Sequence, residues 1–189
     1  MKFLKWTLIV IGVLALLFFF VIGPYMKTQT KKHSPEQSAT YVDQDSKLDL
    51  LVNYNSPSKK GRVIFGELVP YDQVWRTGAN EPTTMTTNST IAVKGKNLPA
   101  GTYSIWTIPR EKKWTVIFNS NIPDWGVSLG VNGMEPSWDE AHDVIKVEVP
   151  VEDLKEVVEN FTIDFTVEDQ LYLTLAWDTT KVRVPISTN

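Results

Sequence analysis

Between Lys5 and Lys27 the chain runs for 21 residues, WTLIVIGVLALLFFFVIGPYM, without a charge. A hydrocarbon core of about 30 Å takes about 20 residues of helix to cross, and in lipid only a helix or a closed barrel satisfies its own backbone. The run therefore predicts a single N-terminal transmembrane helix, residues 1–26. Trp6 and Tyr25 stand at its two ends, where amphipathic aromatics favour the interface. A cleaved leader has a shorter apolar region that closes on small residues. This one closes on Phe18, Phe19, Phe20, Val21, Ile22, Gly23, Pro24 and Tyr25, so a retained anchor is expected. Lys2 and Lys5 precede the run and Lys27, Lys31 and Lys32 follow it, so counting positive charges does not orient it. A signal-like N-terminus ahead of a long domain favours an inward N-terminus, with the domain on the periplasmic or other extracytoplasmic side.

Residues 27–46, KTQTKKHSPEQSATYVDQDS, are polar and read as a flexible stalk in which His33 has no task. The charge then changes sign. Residues 1–41 hold five Lys and one Glu, which leaves 14 basic and 21 acidic residues for 42–189, a net of −7. An acidic domain does not suit a nucleic-acid partner, and the stalk lysines are the natural contact with anionic headgroups. With no cysteine, disulfides, thiolate metal sites, a Cys nucleophile and a lipidated N-terminal Cys are all excluded.

From Lys47 the hydrophobic period is two. KLDLLVNY puts Leu48, Leu50, Val52 and Tyr54 on one face, RVIF reads as a short strand, and TYSIWTI followed by PREKK and WTVIF reads as a hairpin. DVIKVEV, with Ile145, Val147 and Val149 on one side, FTIDFTV, LYLTLAW and KVRVPI complete the strands, the last two joined through Asp178, Thr179 and Thr180 as a second hairpin. Only VEDLKEVVENF has helical spacing, with Val151, Leu154, Val157, Val158 and Phe161 at threes and fours and acids in the first turn. Short strands at regular spacing predict a mainly β domain over residues 47–189, an antiparallel β-sandwich or jelly roll with one short helix; a closed barrel is the alternative.

NSPSKKGRVIFGELVPYDQVWRTGANEPTTM, LPAGTYSIWTIP, WTVIFN, DWG and LAWDTTKVRVPI, in that order, resemble the bacterial domain-of-unknown-function family 2911 over roughly residues 47–187. The resemblance implies an exported or membrane-attached β domain of Gram-negative bacteria and brings no activity with it. Residues 127–141, VSLGVNGMEPSWDEA, stand where a shorter connection is expected for that family.

Three groups of residues invite a chemical reading. Gly126-Val127-Ser128-Leu129-Gly130 matches G-x-S-x-G, and Asp139 and His142 follow, so Ser128, His142 and Asp139 could serve as nucleophile, base and orienting acid of a serine hydrolase. That elbow needs a strand, a strained turn and a helix, and VNGMEP after Gly130 forms no helix. Glu135, Asp139, Glu140, His142 and Asp143 crowd together, yet form no calcium-loop spacing and include a single His, so neither a metal nor another cofactor is expected. Trp138, among polar neighbours, is the exposed candidate of the six tryptophans beyond the anchor, whereas Trp114 and Trp177 read as structural. The third group is Trp75, Arg76, Asn80 and Glu81, set among apolar residues. A planar guanidinium beside an amide and a carboxylate suits a carboxylate, phosphate or sugar ligand, or else Arg76 pairs with Glu81 or Glu67 and pins a corner. The class expected is a membrane-tethered module for an unknown protein or small-molecule partner.

Overall fold

The computed structural model describes residues 2–131 and 133–188, without the side chains of Lys2 and Phe3. It has two compact units, residues 1–33 and 34–189. The first is helical from Lys2: α1 (Lys2–Leu17), a π-helical turn (Phe18–Ile22) and α2 (Gly23–His33). Its stretch Leu4–His33, 30 residues at a mean hydropathy of 2.7 in its most apolar window, is long and apolar enough to cross a membrane. The π turn has a local cause. Pro24 has no N–H to give, and the Gly23 N–H closes the wider ring on the Phe18 carbonyl just before it.

The second unit is mainly β and antiparallel. Its strands are β1 (Glu36–Asp43), β2 (Leu48–Asn55), β3 (Thr83–Thr87), β4 (Ile91–Val93), β5 (Lys96–Leu98), β6 (Gly101–Ile108), β7 (Lys113–Asn119), β8 (Val127–Gly130), β9 (Gly133–Pro136), β10 (Asp143–Val167) and β11 (Leu171–Thr188). Nine of them follow one hydrogen-bonded path, β1-β2-β3-β6-β7-β10-β11-β4-β5, and β8 with β9 forms a separate hairpin. The segment expected as a stalk is thus helical to His33, and Glu36–Asp43 is an edge strand on β2. Eight consecutive pairs, Glu36↔Asn55 to Asp43↔Leu48, hold it there, and Ala39 is buried.

Period-two reading holds for β2, whose Leu48, Leu50, Val52 and Tyr54 are buried, for the β6–β7 hairpin, and for Ile145, Val147 and Val149. It fails where strands run on. Residues 62–65 are irregular, with only an isolated bridge, Phe65↔Val69, in place of a strand. The helix expected over residues 151–161 is instead the middle of β10. Pro150, which cannot donate to a ladder, is the last residue paired with β7, opposite Lys113, and from Val151 the strand pairs with β11. Two register shifts, between Asp153 and Val158 and between Val158 and Thr162, then rotate its side chains. Those bulges give the apolar residues their spacing of three and four; only Phe161 is buried, and Val157 faces solvent. Likewise Asp178 opens no hairpin: it has φ 56° within the unbroken β11 and pairs with Lys59 at 2.5 Å.

One apolar core receives side chains from β2, β3, β4, β5, β6, β7, β10 and β11. At its centre Phe65, Trp75, Trp114, Phe161 and Trp177 meet ring to ring at 4.9 to 6.3 Å, mostly edge to face, with Trp75 stacked on Trp177. Each such pair adds about 0.5–1.5 kcal/mol beyond area burial. This cluster fixes the position of Trp75 and so of the corner that follows it.

Candidate functional site

Trp75 exchanges both backbone hydrogen bonds with Thr107 of β6, at 2.7 and 2.9 Å. The chain then turns through three left-handed positions, Thr77 (φ 57°), Gly78 (φ 145°) and Asn80 (φ 58°). At Gly78 a Cβ would stand 2.8 Å from the Asn55 carbonyl oxygen, so both the angle and the space require glycine. Side chains hold the turn. The Trp75 indole donates to the Gly78 carbonyl at 3.0 Å, Thr83 donates to the Thr77 carbonyl, and the Thr77 hydroxyl donates to that of Thr107 at 3.1 Å.

Of the four residues singled out in the sequence, three have their side chains engaged within the domain. Trp75 belongs to the aromatic core. Asn80 is buried, and its amide donates to Asn55 Oδ1 at 3.2 Å and to the Ser34 carbonyl at 3.3 Å. Glu81, half-buried, accepts from Asn55 Nδ2 at 3.2 Å. Asn55 is therefore the residue that joins Asn80 to Glu81, from the end of β2, and period-two reading gave it no part.

Arg76 differs from the other three. It is half-buried, its Nε is fully enclosed, and among the described residues the guanidinium makes neither a hydrogen bond nor an ion pair. The pairing with Glu81 or Glu67 expected from the sequence is not made. Burial pushes the Arg76 pKa down from its ordinary value, the direction expected for a charge stripped of water without a counterion. Its stem lies along Gly126, where a Cβ would collide with Arg76 and stand 2.8 Å from the Asn80 carbonyl. Gly126 in turn donates to that carbonyl at 2.9 Å and accepts from Ser137 N–H at 3.1 Å, which closes the base of the β8–β9 hairpin.

Just ahead of Trp75, Gln73 and Val74 line a surface depression of about 300 Å³ with Glu135, Pro136 and Trp138. Gln73 and Val74 precede Arg76 in the chain, and Glu135, Pro136 and Trp138 flank Ser137, whose N–H donates to Gly126. Trp138 is half-buried here, its indole donating to Asp143 Oδ1 at 2.8 Å and its ring facing Lys146 Nζ at 5.5 Å.

Residues 135–143 do not converge on an ion. Asp143 Oδ1 also accepts from Asn119 at 2.7 Å, and Lys146 reaches Asp143 Oδ2 at 2.9 Å and Glu140 at 2.7 Å. Hydrogen bonds donated by Lys146 to the Glu140 and Asp143 carboxylates raise its pKa. Asp139 caps a 3-10 turn, Glu140–His142, accepting from Ala141 N–H at 3.0 Å and lying 3.1 Å from His142 Nδ1. Asp139 and His142 are thus together, but Ser128 sits on β8 opposite Glu135, in a hairpin with no helix behind it. Among the described residues no three His, Asp or Glu side chains are placed to hold a metal.

A family described as a protein of unknown function (DUF2911) matches residues 34–186. No curated protein and no solved structure matches the chain.

Proposed function

The chain belongs to the DUF2911 family of proteins of unknown function, and on that premise we propose that its β domain is a membrane-tethered binding module. The N-terminal helix holds it at the extracytoplasmic face, and Arg76 receives an anionic group, carboxylate or phosphate, of a small-molecule or protein partner. One observation carries this reading: Arg76 keeps a buried Nε without an acceptor in a corner whose other polar groups are engaged. An enclosed donor left unpaired costs about 1–3 kcal/mol, more when charged, and an incoming anion would recover that loss. The depression beside it supplies the Trp138 ring as an apolar wall. Contacts of Tyr41 with Phe165 and of Tyr54 with Phe161 link β1 and β2 to the far half of β10, which supports a sandwich-like folding of the sheet.

The test is thermal unfolding of the full chain in nanodiscs, titrated with inorganic phosphate and with succinate. Saturable stabilisation by one of them is expected, about 2.7 kcal/mol at a hundred times Kd, and it should vanish in Arg76→Ala. Gly126→Ala, which displaces the Arg76 stem, should weaken it. No stabilisation by either anion, or an undiminished one in Arg76→Ala, refutes the reading.

A further inference from the structure

We propose that one face of the β8–β9 hairpin is a membrane-contact surface that enters the lipid interface; this rests on the membrane-tethered reading given above. The pairs Val127↔Pro136 and Leu129↔Met134 fall on one face of the hairpin, and Ser128↔Glu135 and Gly130↔Gly133 fall on the other. The first face is wholly apolar. Leu129 is 84% exposed, Met134 66%, and Val131 at the tip 100%. On the second face the Glu135 carboxylate fills the space that a Cβ on Gly130 would need. Single apolar side chains on a surface are ordinary, but a cross-strand pair capped by a third residue, all three largely exposed among the described residues, marks a contact site.

Two observations select lipid as the occupant. Residues 125–134, WGVSLGVNGM, contain no charge, so the tip can enter the headgroup interface without desolvating an ion, while the outward edges of the two strands keep interfacial water. The tether is also short: only Ser34 and Pro35 separate α2 from β1, and a residue spans at most about 3.6 Å. A helix of 30 residues is about 45 Å long, the thickness of a bilayer with its headgroups. A domain joined to it by two residues is held at high effective concentration near lipid, and within the domain the Ser34 carbonyl accepts from Asn80, whose own carbonyl accepts from Gly126 N–H at the base of the hairpin.

The absence of cysteine gives a direct test. Val131→Cys in the full chain is labelled with a polarity-sensitive fluorophore and reconstituted in nanodiscs of phosphatidylethanolamine and phosphatidylglycerol, with or without chain-nitroxide lipid. Blue-shifted emission, its quenching by nitroxide, and loss of both on adding Leu129→Ser and Met134→Ser are the expected result. Leu14→Cys, labelled in the same way, reports on the helix itself. Quenching at position 14 with a water-like signal at 131 overturns the inference and leaves the anchor standing, whereas quenching at neither position removes both. A blue shift at 131 without nitroxide quenching means that a protein surface covers the tip, and also overturns it.

Discussion

Trp75 and Arg76 are neighbours in the chain with opposite energetic roles. Trp75→Ala empties the centre of the aromatic cluster and leaves the Gly78 carbonyl without its donor, which should cost about 3–5 kcal/mol. Arg76→Ala breaks no ion pair and removes only the stem packed on Gly126, so a loss below about 1 kcal/mol is expected. Denaturant titration of the two variants checks this ranking, and an Arg76→Ala loss as large as that of Trp75→Ala would point to a structural cation. The sequence already grouped Trp75, Arg76, Asn80 and Glu81, because they are contiguous and sit among apolar residues. It could not divide them by role. That division depends on Asn55, Ser34, Thr107 and Gly126, brought in from distant segments by strand register, which no local pattern encodes.

β10 and β11 carry the architecture at the level of elements, and their ion pairs carry its pH dependence. Burial pushes the Glu152 carboxyl up, but hydrogen bonds and charge from Lys181 and Arg183 on β11 outweigh it, so its pKa lies below the ordinary carboxylate value. A carboxyl lowered in the folded state stabilises it above the unfolded pKa of about 4.3, and that contribution is lost as pH falls through the folded value. Glu152→Gln should therefore be less stable than the parent near neutrality, by under about 1 kcal/mol because the group is partly exposed. The gap should close on acidification. Denaturation midpoints from about pH 3 to 7 measure it, and a gap independent of pH would show that packing, not charge, is lost. Strand type and facing were legible wherever alternation was clean, as in β2 and at Ile145, Val147 and Val149. Continuity was not: a bulged strand has the spacing of a short helix, and a left-handed Asp178 has the look of a turn, because local sequence records rotation of side chains and not whether the ladder resumes.

For the whole molecule, the helix Leu4–His33 predicts that the full chain sediments with membranes, resists carbonate and high salt, and leaves them only with detergent. A mature N-terminus beyond Tyr25 would sink this expectation, which sequencing of the extracted protein checks. The strand order also bears on how such a chain is made. Residues 101–119 close a hairpin as soon as they emerge, and so do β1 and β2. β4 has only the three-residue β5 beside it until Ile186–Thr188 arrive to pair with Val93, Ala92 and Ile91. During synthesis β4 therefore lacks its second strand partner while all of β6 to β10 and most of β11 are delivered, and Ile91 and Val93 reach their full burial last. Closure of this sheet waits on the C-terminal strand, and a chain cut short before Ile186 would present β4 as an open apolar edge to other chains.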